Sequence, residues 1–112
     1  MNFKNLAERL GLDEEDIVEV AQLFIQTAPV ELEKLTRAHQ TRDARLAAEA
    51  AHSIKGSSST LGLDDTAKLA QLVVRNGREQ DIEALDQSLP RLIGVLKATV
   101  ETIAEQIRDR QR

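Results

Sequence analysis

The sequence lacks cysteine, tryptophan and tyrosine, and it has only two prolines and two phenylalanines among its 112 residues. Without cysteine, the chain can form neither a disulfide framework nor a thiolate metal site. No apolar run approaches the roughly 18–20 residues that a membrane span needs. Charged residues are spread through positions 1–10, which argues against a signal peptide. We therefore expect a soluble, cytoplasmic protein without a membrane partner.

The sequence also lacks a strong excess of charge of either sign. The net charge is −4, with both signs mixed along the chain. No basic stripe of the kind that binds nucleic acid is present, so nucleic acid is not an expected partner. The C-terminal end is rich in arginine, with Arg108, Arg110 and Arg112 separated by an aspartate and a glutamine, and we expect a frayed, solvated tail there.

The residues that dominate the sequence favour helices. Leu, Ala, Glu, Lys, Arg and Gln are good helix formers, and 112 residues suit one domain with an aliphatic core. The composition therefore predicts an all-α fold. We expect a single domain over residues 1–112, with a bundle core at about 29–108 and N-terminal helices within 1–28.

Apolar spacing and capping residues predict where the first helices begin and end. A short helix starts near Phe3 and stops at Gly11, and a second follows Asp13 as its N-cap. The second helix should break near Ala28, because Pro29 suits the first turn of a new helix better than the interior of an old one.

The remaining helices are predicted in the same way. The helix from Pro29 ends near residues 40–42, and Asp43 caps the next, which runs to about Leu61. Another is capped by Asp64 or Asp65 and ends at Asn76-Gly77; the last begins near Glu79 and is kinked or split by Pro90. Short connections favour antiparallel neighbours. The prediction is an antiparallel up-down-up-down four-helix bundle with additional N-terminal helices, and a monomer, because one bundle uses the apolar positions.

The helix after Asp43 has one inward stripe and one histidine away from it. At about 100° per residue, small and apolar side chains share a narrow face; they are Ala47, Ala50, Ala51, Ile54, Ser58 and Leu61. His52 falls on the opposite side of the helix, so its imidazole should face solvent. Its neighbours one turn away are Ala48 and Gly56, with Ser59 a further turn on. All three are small, which leaves the ring clear of its surroundings.

Lys55 and Gly56 add to this pattern. Lys55 is three residues after His52, so its ammonium can reach an anion that is attached to the ring. Gly56 lies inside a helix, where glycine costs about 1 kcal/mol relative to alanine. Close helix packing would explain a glycine on the core stripe, but position 56 lies off that stripe. Clearance for an approaching molecule explains it better.

The segment Ala51-His52-Ser53-Ile54-Lys55-Gly56, followed by a serine-rich stretch and Leu61-Gly62, resembles the signature of histidine-containing phosphotransfer (HPt) domains. The resemblance implies that His52 accepts a phosphoryl group, that Lys55 stabilises it and that Gly56 leaves room for a receiver domain. Some members carry a glutamine on the neighbouring helix. That position is Val74 here, so Gln71, one turn earlier, and Ser59 are secondary candidates.

The implied function is that of a phosphorelay intermediate. A neutral imidazole is a nucleophile near pH 7 and can exchange a phosphoryl group reversibly with a receiver aspartate. No glycine-rich nucleotide loop and no acidic metal cluster are visible in the sequence. We therefore expect a carrier without kinase activity and without a cofactor, and Mg²⁺ should come with the receiver domain. Expected partners are response-regulator receivers or a hybrid histidine kinase.

Two alternatives stay open. The chain could bind or sequester a response regulator as a helical interaction module, without phosphoryl chemistry, or it could be the phosphotransfer domain of a larger histidine kinase. The intact His-Lys-Gly set favours the carrier over the interaction module. The start at Met1 without an attached kinase domain favours a free-standing protein. His39, near a helix end, is expected at the surface, and two histidines without a third ligand predict no metal site.

Overall fold

Five helices account for the chain in the computed structural model, which describes residues 1–111. They are α1 (Phe3–Leu10), α2 (Glu14–Thr41), α3 (Ala44–Thr60), α4 (Asp64–Arg78) and α5 (Ile82–Arg110). Residues 1–111 contain no strand, which confirms the all-α prediction. No helix within these residues is long and apolar enough to cross a membrane.

Helices α2 to α5 form the bundle. Each packs against its neighbours in chain order, α5 closes the ring on α2, and α1 packs on α2. Short connections reverse the chain between successive helices, which gives the up-down-up-down arrangement. Aliphatic side chains fill the interior, with Leu35, Leu92 and Leu96 wholly buried. The two aromatic residues, Phe3 of α1 and Phe24 of α2, are also buried.

Each of the four turns that follow helices α1 to α4 contains one residue with positive φ. Gly11 and Gly62 have φ values of 67° and 69°, as expected for glycine after a helix. Arg42 and Gln80 adopt the same left-handed conformation, each with φ 55°. Caps open the helices, since Asp43 accepts from the Leu46 amide at 3.0 Å and Asp81 from the Ala84 amide at 3.1 Å.

The predicted break at Pro29 is wrong. Helix α2 continues from Glu14 to Thr41 with Pro29 inside it, so α1 is the one additional N-terminal helix. Pro29 is exposed, and the stripe on its inner side is buried both before it, at Phe24, and after it, at Leu35. Burial of one continuous stripe compensates for the hydrogen bond that proline removes.

The last helix also differs from the prediction in two ways. It is not split at Pro90, which is exposed between the buried Leu89 and Leu92. It also runs to Arg110, whose guanidinium donates to Glu14 at 2.6 Å and to Glu15. The hydrogen bond to Glu15 raises the pKa of Arg110 above its ordinary value. The expected frayed tail is therefore helical to this point; Arg112 lies outside the described residues.

Helix α4 begins and ends differently from the prediction. Its first residue is Asp64, and neither Asp64 nor Asp65 is its N-cap. Both lie in the first turn, where their negative charges interact favourably with the helix dipole. Asn76 and Gly77 do not end it. Both are buried inside the helix, and Asn76 donates to Ser88 of α5 at 3.0 Å. The chain turns only at Gln80.

Candidate functional site

Helix α3 presents His52 outward. The six residues of its predicted inner stripe are all buried, which confirms the helical assignment of faces: Ala47, Ala50, Ala51, Ile54, Ser58 and Leu61. His52 is exposed, and its ring makes no hydrogen bond with residues 1–111. The imidazole is therefore accessible to a partner molecule.

The surroundings of His52 on α3 are small and open. Gly56 and Ser59 are exposed and Ala48 is half-buried. A Cβ atom added at Gly56 would meet nothing within 4 Å. Close packing of helices inside this chain therefore does not explain Gly56. The space above Gly56, beside His52, is open.

Lys55 supplies a cation on the same helix. Its side chain is half-buried and forms no ion pair with the described part of the chain. Its spacing of three residues from His52 puts the two side chains on adjoining parts of the helix surface. An unpaired ammonium in this position can interact with an anion on the imidazole.

A hollow of about 390 Å³ lies beside His52, between α3 and the end of α4. From α3 it is lined by Arg45, Ala48, Glu49 and His52, and from the end of α4 and the next turn by Gly77, Arg78 and Gln80. Arg45 pairs with Glu49 at 3.4 Å, and both side chains are largely exposed. Arg78 has no ion-pair partner among residues 1–111, so its guanidinium can meet an anion.

The sequence interpretation missed Arg78 and Gln80. A signal was present, because Arg78 lies one turn after Val74, on the side of α4 that borders α3. Side chains on a helix lean towards its N-terminus, so Arg78 leans back along α4 and His52 leans back along α3. Since the two helices are antiparallel, these two side chains converge on one hollow.

Gly77 allows α3 and α4 to approach each other here. A Cβ atom at position 77 would lie 2.6 Å from the Ala44 carbonyl oxygen and 2.9 Å from the Ala48 Cβ. No real side chain tolerates such contacts with a neighbouring backbone. Glycine therefore brings the end of α4, with Arg78 and Gln80, against the helix that carries His52.

The neighbouring-helix candidates occupy different environments. Val74 is 1% exposed and belongs to the core, so it leaves no place for a polar partner. Gln71 is exposed and does not line the hollow beside His52. The roles of Gln71 and Ser59 stay predictions.

His39 does not form part of this site. It lies in the last turn of α2, where a basic residue suits the helix dipole, but it is half-buried, not fully at the surface. Its Nδ1 atom is buried without a hydrogen-bond partner. Among residues 1–111, no three His, Asp or Glu side chains are grouped closely enough to hold a metal ion.

The arrangement combines an accessible nucleophile with nearby cations. His52 offers a ring nitrogen, Lys55 and Arg78 offer positive charge, and Gly56 leaves open space above the ring. Transfer of a phosphoryl group depends mainly on positioning and charge stabilisation. The chemistry of these side chains fits an acceptor of such a group.

Comparison with known proteins supports this reading of the geometry. A family model described as the Hpt domain matches residues 19–109. No curated protein and no solved structure gives a significant match. The match covers most of the chain, including all of α3 and α4, most of α2 and nearly all of α5. Hpt domains act in phosphotransfer within two-component phosphorelays, and this chain belongs to the Hpt domain family.

Proposed function

We propose that this protein is a phosphorelay intermediate that accepts a phosphoryl group on His52 from a receiver-domain aspartate and passes it to another receiver. The observation that carries the proposal is the exposure of His52 on the outer face of α3, beside open space at Gly56. An imidazole that served only the fold would be packed or hydrogen-bonded.

The proposed transfer begins with a neutral His52 ring. The lone pair of one ring nitrogen attacks the phosphorus of the aspartyl phosphate, in line with the bond that breaks. An N–P bond forms as the O–P bond breaks, and the electron pair of that bond stays on the departing aspartate carboxylate. The same steps in reverse return the phosphoryl group to a receiver.

Two cations of this chain stabilise the phosphoryl group both when His52 accepts it and when His52 returns it to a receiver. Lys55, three residues from His52, meets the phosphoryl oxygens from one side, and Arg78 meets them from the hollow on the other. Mg²⁺, if the reaction uses it, comes with the receiver, because the acidic site of the receiver holds the acyl phosphate. Gly56 leaves room for that receiver to bring its aspartate close to the ring.

The test is transfer of label from a phosphorylated receiver. Wild-type protein should acquire label that is acid-labile and stable to alkali, as expected for phosphohistidine. His52→Gln should acquire none while keeping its helical circular-dichroism spectrum. His39→Gln, the matched control for the other histidine, should be labelled like the wild type.

Two results would contradict the proposal. Equal labelling of the wild type and His52→Gln would place the acceptor elsewhere. Tight receiver binding without any label would instead support an interaction module that sequesters a response regulator.

A further inference from the structure

A second hollow lies at the other end of α3. It has a volume of about 410 Å³, within the range of about 300–1,000 Å³ typical of small-ligand pockets. Its walls come from α1, the turn after α3 and the second half of α5. We refer to it as the α1–α5 pocket. It shares no lining residue with the hollow beside His52, and Leu61, which lines it, lies roughly 13 Å along the helix from His52.

The pocket has an apolar base and a polar rim. Leu6, Leu61 and Ile103 line it and are at least nine-tenths buried. Asn5 and Thr102, which are exposed, place an amide and a hydroxyl at its edge. A ligand with one apolar part and one polar part matches this division of the walls.

Arg9 gives the pocket its charge. Among the described residues that line it, Arg9 has the only charged side chain, and it makes no ion pair within residues 1–111. A guanidinium binds a carboxylate through two parallel hydrogen bonds. The charge of the pocket therefore selects an anion over a cation.

Gln106 adds an unused acceptor. Gln106 is among the residues that line the pocket, and its Oε1 atom is buried without a hydrogen-bond partner, so the side-chain amide must turn to present this atom to a ligand. A buried acceptor without a donor costs free energy, so a group that donates to it is favoured there. A hydroxyl or amide N–H on a ligand supplies that donor.

We propose that the α1–α5 pocket binds a small amphipathic carboxylate that also carries a hydroxyl or amide group. Arg9 binds the carboxylate, Gln106 accepts from the donor, and the apolar part covers Leu6, Leu61 and Ile103. The binding site is separate from His52 and does not depend on phosphotransfer.

Titration followed by amide NMR shifts tests the proposal. The probe is 3-hydroxyoctanoate, with octylammonium and 3-hydroxybutyrate as controls for the charge and for the apolar part. We expect saturable shifts confined to the pocket residues, with both control compounds weaker by at least about tenfold. Equal binding of octylammonium, or no saturable shift in the pocket with 3-hydroxyoctanoate, would overturn the proposal.

Variants assign the two polar contacts. Arg9→Gln should weaken 3-hydroxyoctanoate by about tenfold, whereas Arg91→Gln, an exposed arginine outside the pocket, should leave it unchanged. Gln106→Leu should weaken 3-hydroxyoctanoate but not octanoate, which lacks the donor. Unchanged affinity in a folded Arg9→Gln variant would contradict the role of the charge, and unchanged affinity in Gln106→Leu would contradict the role of the acceptor.

Discussion

The two faces of α3 differ in their burial and in their contribution to the core. The inner face carries Ala50, Ala51 and Ile54, which are at most 2% exposed and pack against the rest of the bundle. The outer face carries His52 and Gly56, which are exposed and contribute nothing to the core. Packing in the core therefore explains the residues on the inner face of α3, but it does not explain why His52 and Gly56 stand on the outer face.

Two glycines sharpen this contrast. Gly77 is buried, and a Cβ atom there would collide with the backbone of α3. Gly56 is exposed, and a Cβ atom there would meet nothing. Folding therefore explains Gly77 and leaves Gly56 unexplained. The difference, together with the position of Gly56 one turn from His52, supports our proposal that this glycine serves contact with another molecule.

Gly56→Leu should have the largest effect on the outer face. The added bulk stands where the receiver must approach, so we expect transfer to His52 to fall by roughly a hundredfold while the fold is kept. The measurement is the initial rate of label transfer. Gly94→Leu is the matched control, because Gly94 is also exposed with nothing within 4 Å. Normal transfer by Gly56→Leu would remove the clearance role.

Gly77→Ala should have the largest effect on the inner contact. We expect a loss of about 1–3 kcal/mol in the free energy of unfolding, because the methyl group forces α3 and α4 apart. Gly56→Ala should instead raise it by about 0.5–1 kcal/mol, since alanine favours a helix. Urea unfolding measures both. The comparison fails if the two substitutions shift stability in the same direction.

Lys55→Ala should slow transfer with little change in the fold. Loss of a charge-assisted hydrogen bond to the phosphoryl group corresponds to roughly a tenfold lower rate. Lys97→Ala removes an exposed lysine of α5 and serves as the control. Equal rates for Lys55→Ala and the wild type would exclude Lys55 from the site.

Arg78→Gln should have the smallest effect. Arg78 is exposed, so solvent screens its charge, and we expect a change of about two- to fivefold in the rate of transfer. Arg75→Gln, on α4 but outside the hollow, is the control. If both variants transfer at the wild-type rate, the hollow beside His52 has no part in binding the phosphoryl group.

Local sequence signals were sufficient for α3. Its cap at Asp43, its inner stripe and the exposure of His52 depend on spacing within one helix, and all three were predicted correctly. The same rules failed at Pro29 and Gly77. There the outcome depends on packing between helices: burial carries α2 past a proline, and close contact with α3 explains a glycine that looked like a helix stop.

The hollow beside His52 could not be predicted in this way. Arg78 meets the surroundings of His52 only because α3 and α4 are antiparallel and in close contact at Gly77. A single helix wheel contains neither fact. Val74 was identified as a departure from the glutamine of some relatives, but its burial in the core became clear only from the packed bundle.

The most direct test of the central claim is a nitrogen-resolved NMR spectrum of the imidazoles during transfer. Protein with ¹⁵N-labelled histidine is mixed with a phosphorylated receiver, and phosphorus–nitrogen coupling is followed on both rings. The account predicts coupling on His52 and none on His39. Coupling on His39, or label transfer without coupling on either ring, would contradict it.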